Sequence, residues 1–138
     1  MQNGALVSAV VDTELIVGYL HEDPEAQSFL ESLVDQQDVG DLRIFFSALS
    51  VVELWQSPRM DRRTELRFRL LARSMTIVAV DEDVAIAAGI ILRPFTRQQR
   101  NRLHGDAIIA ASAQVLDVPV CTRNVDDFSR LHAHFLTY

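Results

Sequence analysis

The sequence predicts an α/β fold in which a short, mainly parallel sheet is covered by helices on both faces. Short β-rich apolar segments alternate with helical segments along the chain, and strands joined by helical crossovers pair in parallel. The first such segment, LVSAVV at 6–11, is apolar at nearly every position, as in a strand buried on both faces. No repeat, linker or low-complexity tract divides the sequence, so we expect a single domain over residues 1–138.

Each element follows from a local pattern. The predicted strands are 6–11, 43–46, 75–80 and 118–122, with a short fifth strand as an option at 135–138. Helices are predicted at 14–20, from Pro24 onward, after Ser47 or Ser50 as the cap, and at 59–74, 81–92 and 106–116, with a short turn or helix at 125–131. In the helix from Pro24, the inner side carries Phe29, Leu30, Leu33 and Val34. In the helix 59–74, Leu66, Leu70 and Leu71 stand at helical spacing. Pro24 suits a first helical turn, where its missing N–H is not needed, and Asp81 carries a typical N-cap side chain. Pro58 and Pro94 end or interrupt helices.

The composition excludes several classes of protein. Apolar residues make up 49% and charged residues 23% of the chain, which is typical of a globular protein and not of a disordered one. The single cysteine, Cys121, allows no internal disulfide. No apolar run approaches the ~20 residues needed to cross a bilayer, and the apolar segment 5–11 has no positively charged leader. We therefore expect a cytoplasmic protein that does not associate with membranes.

Positive charge is concentrated in the middle of an acidic chain. The net charge is −6, there is no lysine, and ten of the 13 arginines lie between 59 and 102 beside only five acids. This asymmetry indicates one face that attracts an anion and another that gathers cations. The arginines that would form the anion-attracting face include Arg59, Arg62, Arg63, Arg97, Arg100 and Arg102. The alternative is that these arginines form the solvated face of a helix.

Acidic residues stand where a carboxylate is costly. Asp12 directly follows the first strand, Glu53 lies in the apolar segment SVVEL, and Asp106 opens a helix of mostly Ala and Ile. The segment TRNVDDF at 122–128 follows the fourth strand, and ligands of parallel sheets bind at the carboxyl ends of the strands. Carboxylates gathered at one edge repel one another unless a cation holds them, and oxygen-rich sites suit Mg²⁺ or Mn²⁺.

Each acid also has a purely local interpretation. Asp12 is able to cap the helix that follows it, and Ser50 with Glu53 matches the capping box S-x-x-E. Asp106 in a first helical turn would be favoured by the helix dipole, and the segment at 122–128 is compatible with an Asx-turn. Local roles do not readily explain why Asp12, Glu53, Asp106 and the segment 122–128 occur together, in this order and in these apolar surroundings.

The segments VVDT, SVVEL, DAIIAASA and VCTRNVDDF, in that order, resemble the PIN-domain ribonucleases, and most closely the VapC-type toxins of bacterial toxin–antitoxin pairs. The resemblance extends from about residue 6 to 128. It implies a three-layer α/β/α, PIN-like fold around the sheet and a metal-dependent endoribonuclease site of clustered acids. Asp12, Glu53 and Asp106 match the first three acids of the family.

The resemblance also implies a role for each matching residue. Asp12, Asp106 and Asp127 would hold Mg²⁺ or Mn²⁺, and Glu53 would bind the metal or orient the attacking water, which makes these four the catalytic set. The family has its fourth acid either where Asn124 stands or near Asp127. Because Asn124 is an amide, Asp127 is the better match, although Asn124 and Asp126 remain open as the fourth ligand. The residues expected to border the site are Thr13, Thr122 and Asn124.

The partners implied by the resemblance are an RNA substrate, a cognate antitoxin that covers the site, and a second copy of the chain in a homodimer. The residues expected to hold the RNA backbone are Arg59, Arg62, Arg63, Arg97, Arg100 and Arg102. A different class of function stays open as well. The chain is compatible with a catalytically weak PIN-like scaffold that binds RNA or a protein without cleavage, and Asn124 in the place of an acid favours that alternative.

Overall fold

The computed structural model describes residues 8–138 and contains a five-stranded sheet in the order β3-β2-β1-β4-β5. The strands are β1 (Ala9–Val11), β2 (Ile44–Ser47), β3 (Thr76–Val78), β4 (Val120–Cys121) and β5 (Phe135–Leu136). All four neighbouring pairs are parallel. The optional fifth strand is therefore present. Leu6 and Val7, which the sequence assigns to the first strand, lie outside the described residues.

Seven helices connect the strands in the described part of the chain. They are α1 (Thr13–Leu20), α2 (Pro24–Val39), α3 (Ala48–Trp55), α4 (Arg62–Ala72), α5 (Glu82–Leu92), α6 (Arg97–Leu116) and α7 (Val125–Arg130). Between residues 8 and 138, no helix combines the length and the apolar character that a membrane span requires.

The sheet separates two apolar cores, and β1 contributes to both. Ala9 and Val11 belong to the core that contains Leu15 of α1 and Phe68 of α4, whereas Val10 belongs to the core that contains Ile109 of α6. This alternation follows from the two-residue period of a strand, which sends successive side chains to opposite faces. The arrangement confirms the predicted three-layer α/β/α fold, with a sheet that is parallel throughout.

The structure corrects the predicted start of α6. The helix begins at Arg97, so Asp106 is its tenth residue and does not lie in a first turn. A capping box starts the helix, in which Thr96 accepts from the backbone N–H of Gln99 and the Gln99 side chain accepts from the N–H of Thr96. The helix-dipole explanation for Asp106 is therefore wrong.

Helix α4 is shorter than predicted and faces the core differently. It begins at Arg62 after the N-cap Asp61, and Leu66 and Leu70 are exposed. Phe68 instead enters the core, where its ring meets those of Phe46 and Trp55 edge to face.

Candidate active site

The acids that the sequence singles out lie at the carboxyl edge of the sheet. Asp12 follows β1, and Thr122 with Asn124 follows β4, the strand that pairs beside β1. Glu53 reaches the same edge from α3 and Asp106 from α6. Adjacent parallel strands end at the same edge, which places these side chains together.

Three of the four predicted catalytic acids line one cleft of about 320 Å³. Asp12, Glu53 and Asp106 share this cleft with Thr13. Asp127 does not line it and is connected to it through Asn124. The structure therefore brings three of the four predicted acids into one cleft and connects Asp127 to Asp106 through Asn124. The catalytic roles of all four remain predictions.

Asp12 is held by the sheet and does not serve as a helix cap. Its side chain is 2% exposed and makes no capping hydrogen bond to α1, although it occupies the N-cap position. The hydroxyl of Thr122 donates to its Oδ2 at 2.7 Å. Burial, with smaller contributions from the charges of Glu14 and Glu53, raises the pKa of Asp12 to about 6. A cation close to this carboxyl would therefore be stabilising.

The pKa of Asp106 is raised further than that of Asp12. Burial, followed by the charges of Asp12, Asp127 and Glu53, raises the pKa of Asp106 to about 7. The side-chain amide of Asn124 donates to its Oδ2 at 3.2 Å. The charges of the neighbouring carboxyls thus act on Asp106, as expected where several carboxyls lie close together.

Glu53 is held by the hydroxyl of Thr13, which in turn contacts the hydroxyl of Ser50. Thr13 donates to Oε1 of Glu53 at 2.6 Å, and the hydroxyls of Thr13 and Ser50 lie 2.7 Å apart. Ser47, rather than Ser50, caps α3, accepting from the N–H of Leu49 at 3.0 Å. The capping-box explanation for Glu53 is therefore wrong. Sequence reasoning overlooked Ser50 as a site residue, although its i,i+3 spacing to Glu53 places both on one helix face.

Asp127 is occupied by partners from this chain. Nη1 of Arg102 donates to both carboxylate oxygens, at 3.0 and 3.1 Å, and Asn124 Nδ2 donates to Oδ2 at 3.1 Å. Although burial acts in the opposite direction, these hydrogen bonds hold the pKa of Asp127 below its usual range. Asn124 thus bridges Asp106 and Asp127 and does not form an Asx-turn cap for α7. Asp126 is exposed and takes no part in this network within residues 8–138.

The oxygen donors fit an open magnesium site better than a closed metal cage. No three His, Cys, Asp or Glu side chains in the described ranges stand close enough together to enclose a metal ion. Mg²⁺ usually takes only one or two carboxylates and completes its shell with waters and substrate phosphates. Asp12 and Asp106, whose pKa values are raised first of all by burial, are the carboxyls that fit this requirement.

Only one of the six arginines proposed for RNA binding lines the cleft. That residue is Arg59, while Arg102 pairs with Asp127 at the rim. All six are exposed, which is compatible both with phosphate contacts and with a solvated surface.

Comparison with known proteins relates most of the described residues to one family. The family model of the PIN domain matches residues 9–133. Ribonuclease VapC10 of Mycobacterium tuberculosis (strain ATCC 25618 / H37Rv) is 33% identical over 119 residues, which is 86% of this chain and 84% of that protein.

Solved structures show the same fold at lower identity. One chain of VapBC2 from Rickettsia felis, bound to a DNA fragment from their promoter, superposes with a TM-score of 0.72 at 15% identity, covering 96% of this chain and 99% of that chain. VapBC-1 from nontypeable Haemophilus influenzae gives a TM-score of 0.71 at 18% identity, with 95% and 98% covered. A toxin–antitoxin complex from Klebsiella pneumoniae gives 0.66 at 22%, with 88% and 91% covered.

Proposed function

Because this chain belongs to the PIN domain family, we propose that it is a metal-dependent endoribonuclease and the toxin of a type II toxin–antitoxin pair. The resemblance stated from the sequence is thereby confirmed at the level of the family. The observation that carries the proposal is the cleft in which Asp12, Glu53 and Asp106 converge with raised pKa values at Asp12 and Asp106. The relative in Mycobacterium tuberculosis is named a ribonuclease, which supports RNA as the substrate.

The residues of the cleft divide the work. Asp12 and Asp106 would hold Mg²⁺ or Mn²⁺, with Asp127 as a third ligand when Arg102 releases it. When bound, the ion lowers the pKa of water and stabilises negative charge on the phosphodiester. Glu53, fixed by Thr13, orients the attacking water.

Two polar residues keep three of the carboxylates in place. Thr122 holds Asp12, and Asn124 bridges Asp106 and Asp127. Hydrogen bonds of this kind orient metal-binding carboxylates and tune their affinity. Asn124 therefore acts as a positioning residue in this proposal, and its amide is not required as a ligand.

Arginines would bind the RNA backbone on either side of the site. Arg59 lies in the cleft itself, and Arg62, Arg63, Arg97 and Arg100 are exposed on the helices that follow it in sequence. Arg102 stands at the rim beside Asp127. Contacts to phosphate supply most of the affinity for nucleic acid without specifying its sequence. The cytoplasm, where RNA is available, is the expected place of action.

A cognate antitoxin is the second expected partner. The similar solved structures include toxin–antitoxin complexes, and an acidic cleft is suited to a basic side chain that would replace the metal. For a homodimer, α5 offers Ile86 and Ile90, which are more than half exposed and lie one turn apart on the same helix face.

A scaffold that binds RNA or protein without cleavage is the alternative. Two features favour it: Asn124 is an amide at one of the two positions where the resemblance implies an acid, and Asp127 is engaged by Arg102. Under this alternative the cleft would bind no divalent ion at millimolar concentration.

Cleavage assays with matched variants test the proposal. Purified protein is mixed with RNA in Mg²⁺, in Mn²⁺ and in EDTA, and the products are sequenced. We expect cleavage only with a metal, and a loss of at least about a hundredfold in Asp106→Asn, as when one metal-orienting group is removed. Asp117→Asn is the control, because Asp117 ends the same helix in the left-handed conformation that Asn tolerates. Equal cleavage rates in the parent and in Asp106→Asn would rule out the ribonuclease assignment. If calorimetric titration with millimolar Mn²⁺ detects no binding, the scaffold alternative is favoured.

A further inference from the structure

Two of the three residues that connect β4 to α7 hold acids of the site. These two are Thr122 and Asn124, and Arg123 lies between them. Within residues 8–138, the ion pairs of Arg123 are with Asp23 and Glu25 and not with an acid of the cleft. The proposed function therefore leaves Arg123 without a role.

A three-residue turn sets the direction of the Asn124 side chain. Asn124 has φ −83° and ψ 62°, and the backbone N–H of Val125 donates to the carbonyl of Arg123 at 2.9 Å. These features define an inverse γ-turn, and we call residues 123–125 the γ-turn. The turn follows the last residue of β4, and the Asn124 side chain makes no capping bond to α7. With one internal hydrogen bond, its orientation depends on how its ends are held.

The side chain of Arg123 fastens the γ-turn to the beginning of α2. Its Nη2 donates to Oδ2 of Asp23 at 3.0 Å and lies 3.4 Å from Oε2 of Glu25. Its Cζ also lies 4.4 Å from the centre of the Tyr138 ring, which stacks on Phe29 of α2 at 5.0 Å. A planar guanidinium that is paired at its edge and stacked on its face has a defined orientation.

These contacts are better suited to fixing a direction than to stabilising the fold. The side chains of Arg123 and Asp23 are 41% and 38% exposed, and ion pairs between exposed side chains contribute little to the free energy of unfolding. The γ-turn, in contrast, carries the amide that bridges Asp106 and Asp127. A small change in its orientation would therefore act on the site before it acts on stability.

We propose that Arg123 is a positioning residue of the site, because its anchor on α2 directs the Asn124 amide onto Asp106 and Asp127. The inference rests on the proposed function, since it takes these carboxyls as metal ligands. Groups that hydrogen-bond to metal-binding carboxylates tune metal affinity. Arg123 acts one step further out, through the backbone of the γ-turn.

A positioning role and an electrostatic role predict opposite effects on metal binding. Arg123 is not among the main causes of the pKa shifts of Asp12, Asp106 and Asp127. If its charge alone mattered, removal of that charge would make the site more attractive to a cation. Loss of the anchor should instead weaken metal binding.

Two substitutions that change the charge in opposite directions test this difference. Arg123→Gln removes a positive charge, and Asp23→Asn removes a negative one while asparagine still caps α2. Calorimetry should show that each weakens Mn²⁺ binding about tenfold. Arg130→Gln in α7 and Asp117→Asn at the end of α6 are the charge-matched controls, and neither should weaken binding. Effects of opposite sign in Arg123→Gln and Asp23→Asn would overturn the inference.

A double variant tests whether Arg123 acts through Asn124. In an Asn124→Ala background, Arg123→Gln should weaken Mn²⁺ binding by less than about twofold. The full tenfold loss in that background would contradict the inference. With RNA, Arg123→Gln should lower kcat and leave KM within about twofold; a higher KM with unchanged kcat would make Arg123 a phosphate contact instead.

The metal-free protein gives a readout that depends on neither metal nor RNA. The side-chain amide signals of Asn124 in a ¹⁵N–¹H spectrum are identified by their loss in Asn124→Ala. They should shift in Arg123→Gln and Asp23→Asn and stay in place in Asp117→Asn. Thermal unfolding checks that each variant is folded.

The outcomes separate this inference from the function on which it rests. If the parent protein binds no Mn²⁺ and cleaves no RNA, the proposed function is overturned, and the role of Arg123 in a metal site with it. If the parent cleaves RNA and the Asn124 signals are unchanged in Arg123→Gln, this inference alone is overturned.

Discussion

The hydroxyl of Thr122 donates a 2.7 Å hydrogen bond to Oδ2 of Asp12, although the two residues are 110 positions apart. The contact exists because β1 and β4 are parallel neighbours, with Val11 opposite Cys121. Thr122 also accepts from the backbone N–H of Asn124 at 2.9 Å. One buried hydroxyl therefore connects the first acid of the site with the segment that carries Asn124 and Asp127.

Replacement of Thr122 by valine should destabilise the protein. Valine has the same shape but removes the donor to a buried carboxylate and the acceptor for Asn124, which we expect to cost about 1–3 kcal/mol. Urea unfolding at pH 8 measures the change. Thr137→Val is the control, because Thr137 is exposed, and it should change stability by less than about 0.5 kcal/mol. Equal effects of the two substitutions would contradict the importance of this contact.

Without metal, the protein should become more stable as the pH falls from 8 to 5. The folded-state pKa of Asp12 is about 6 and that of Asp106 about 7, both above the unfolded value of 3.8. The folded state therefore binds protons more tightly, and stability is gained as the pH falls through 7 and 6. The midpoint of urea unfolding in EDTA at several pH values measures this gain.

The variant Asp12→Asn isolates the contribution of the site to that pH dependence. His21, whose lowered pKa acts in the opposite direction, is present in both proteins and cancels in their difference. We expect a shallower dependence in the variant, and Mg²⁺ should stabilise the parent at pH 8 because it binds only the folded state. Parallel curves for parent and variant would show that Asp12 titrates normally.

The sequence predicted the sheet and the meeting of the acids because both depend on local patterns. Ala9, Val10 and Val11 are apolar in an unbroken run, which indicates a strand buried on both faces. Asp12 comes directly after this strand, and the parallel order of strands brings it to the edge where the chain emerges from β4 at Thr122.

The sequence did not predict the first half of α6 because apolar residues do not recur there at helical spacing. Of its first nine residues only Leu103 is buried, so the helix depends on its capping box and on later packing. The Arg102–Asp127 pair could not be predicted for the same reason. It joins α6 to α7 across 25 positions, and its formation depends on the register of a helix whose start was unknown.

Gly105→Ala should reduce cleavage without destabilising the protein. A Cβ at Gly105 would lie 3.0 Å from Oε2 of Glu53 and 3.3 Å from Cδ2 of Leu49, so the carboxylate must move. Alanine also stabilises a helix interior by up to about 1 kcal/mol relative to glycine. Gly89→Ala in α5 is the matched control, since nothing lies within 4 Å of its Cβ. We expect both variants to unfold at equal or higher urea concentration and only Gly105→Ala to lose activity; equal activity would show that Glu53 tolerates displacement.

Arg102→Gln should strengthen Mn²⁺ binding and weaken RNA binding. Removal of the guanidinium leaves Asp127 free to act as a metal ligand and takes a positive charge from the rim of the site. The pair is solvent-exposed, so stability should change by less than about 1 kcal/mol. Calorimetry with Mn²⁺ measures the gain, and Arg100→Gln controls for net charge, because the Arg100 guanidinium donates to the carbonyl of Phe95 and not to an acid. If the double variant Arg102→Gln with Asp127→Asn binds Mn²⁺ as tightly as Arg102→Gln alone, Asp127 is not a ligand and serves instead to hold Arg102 at the rim.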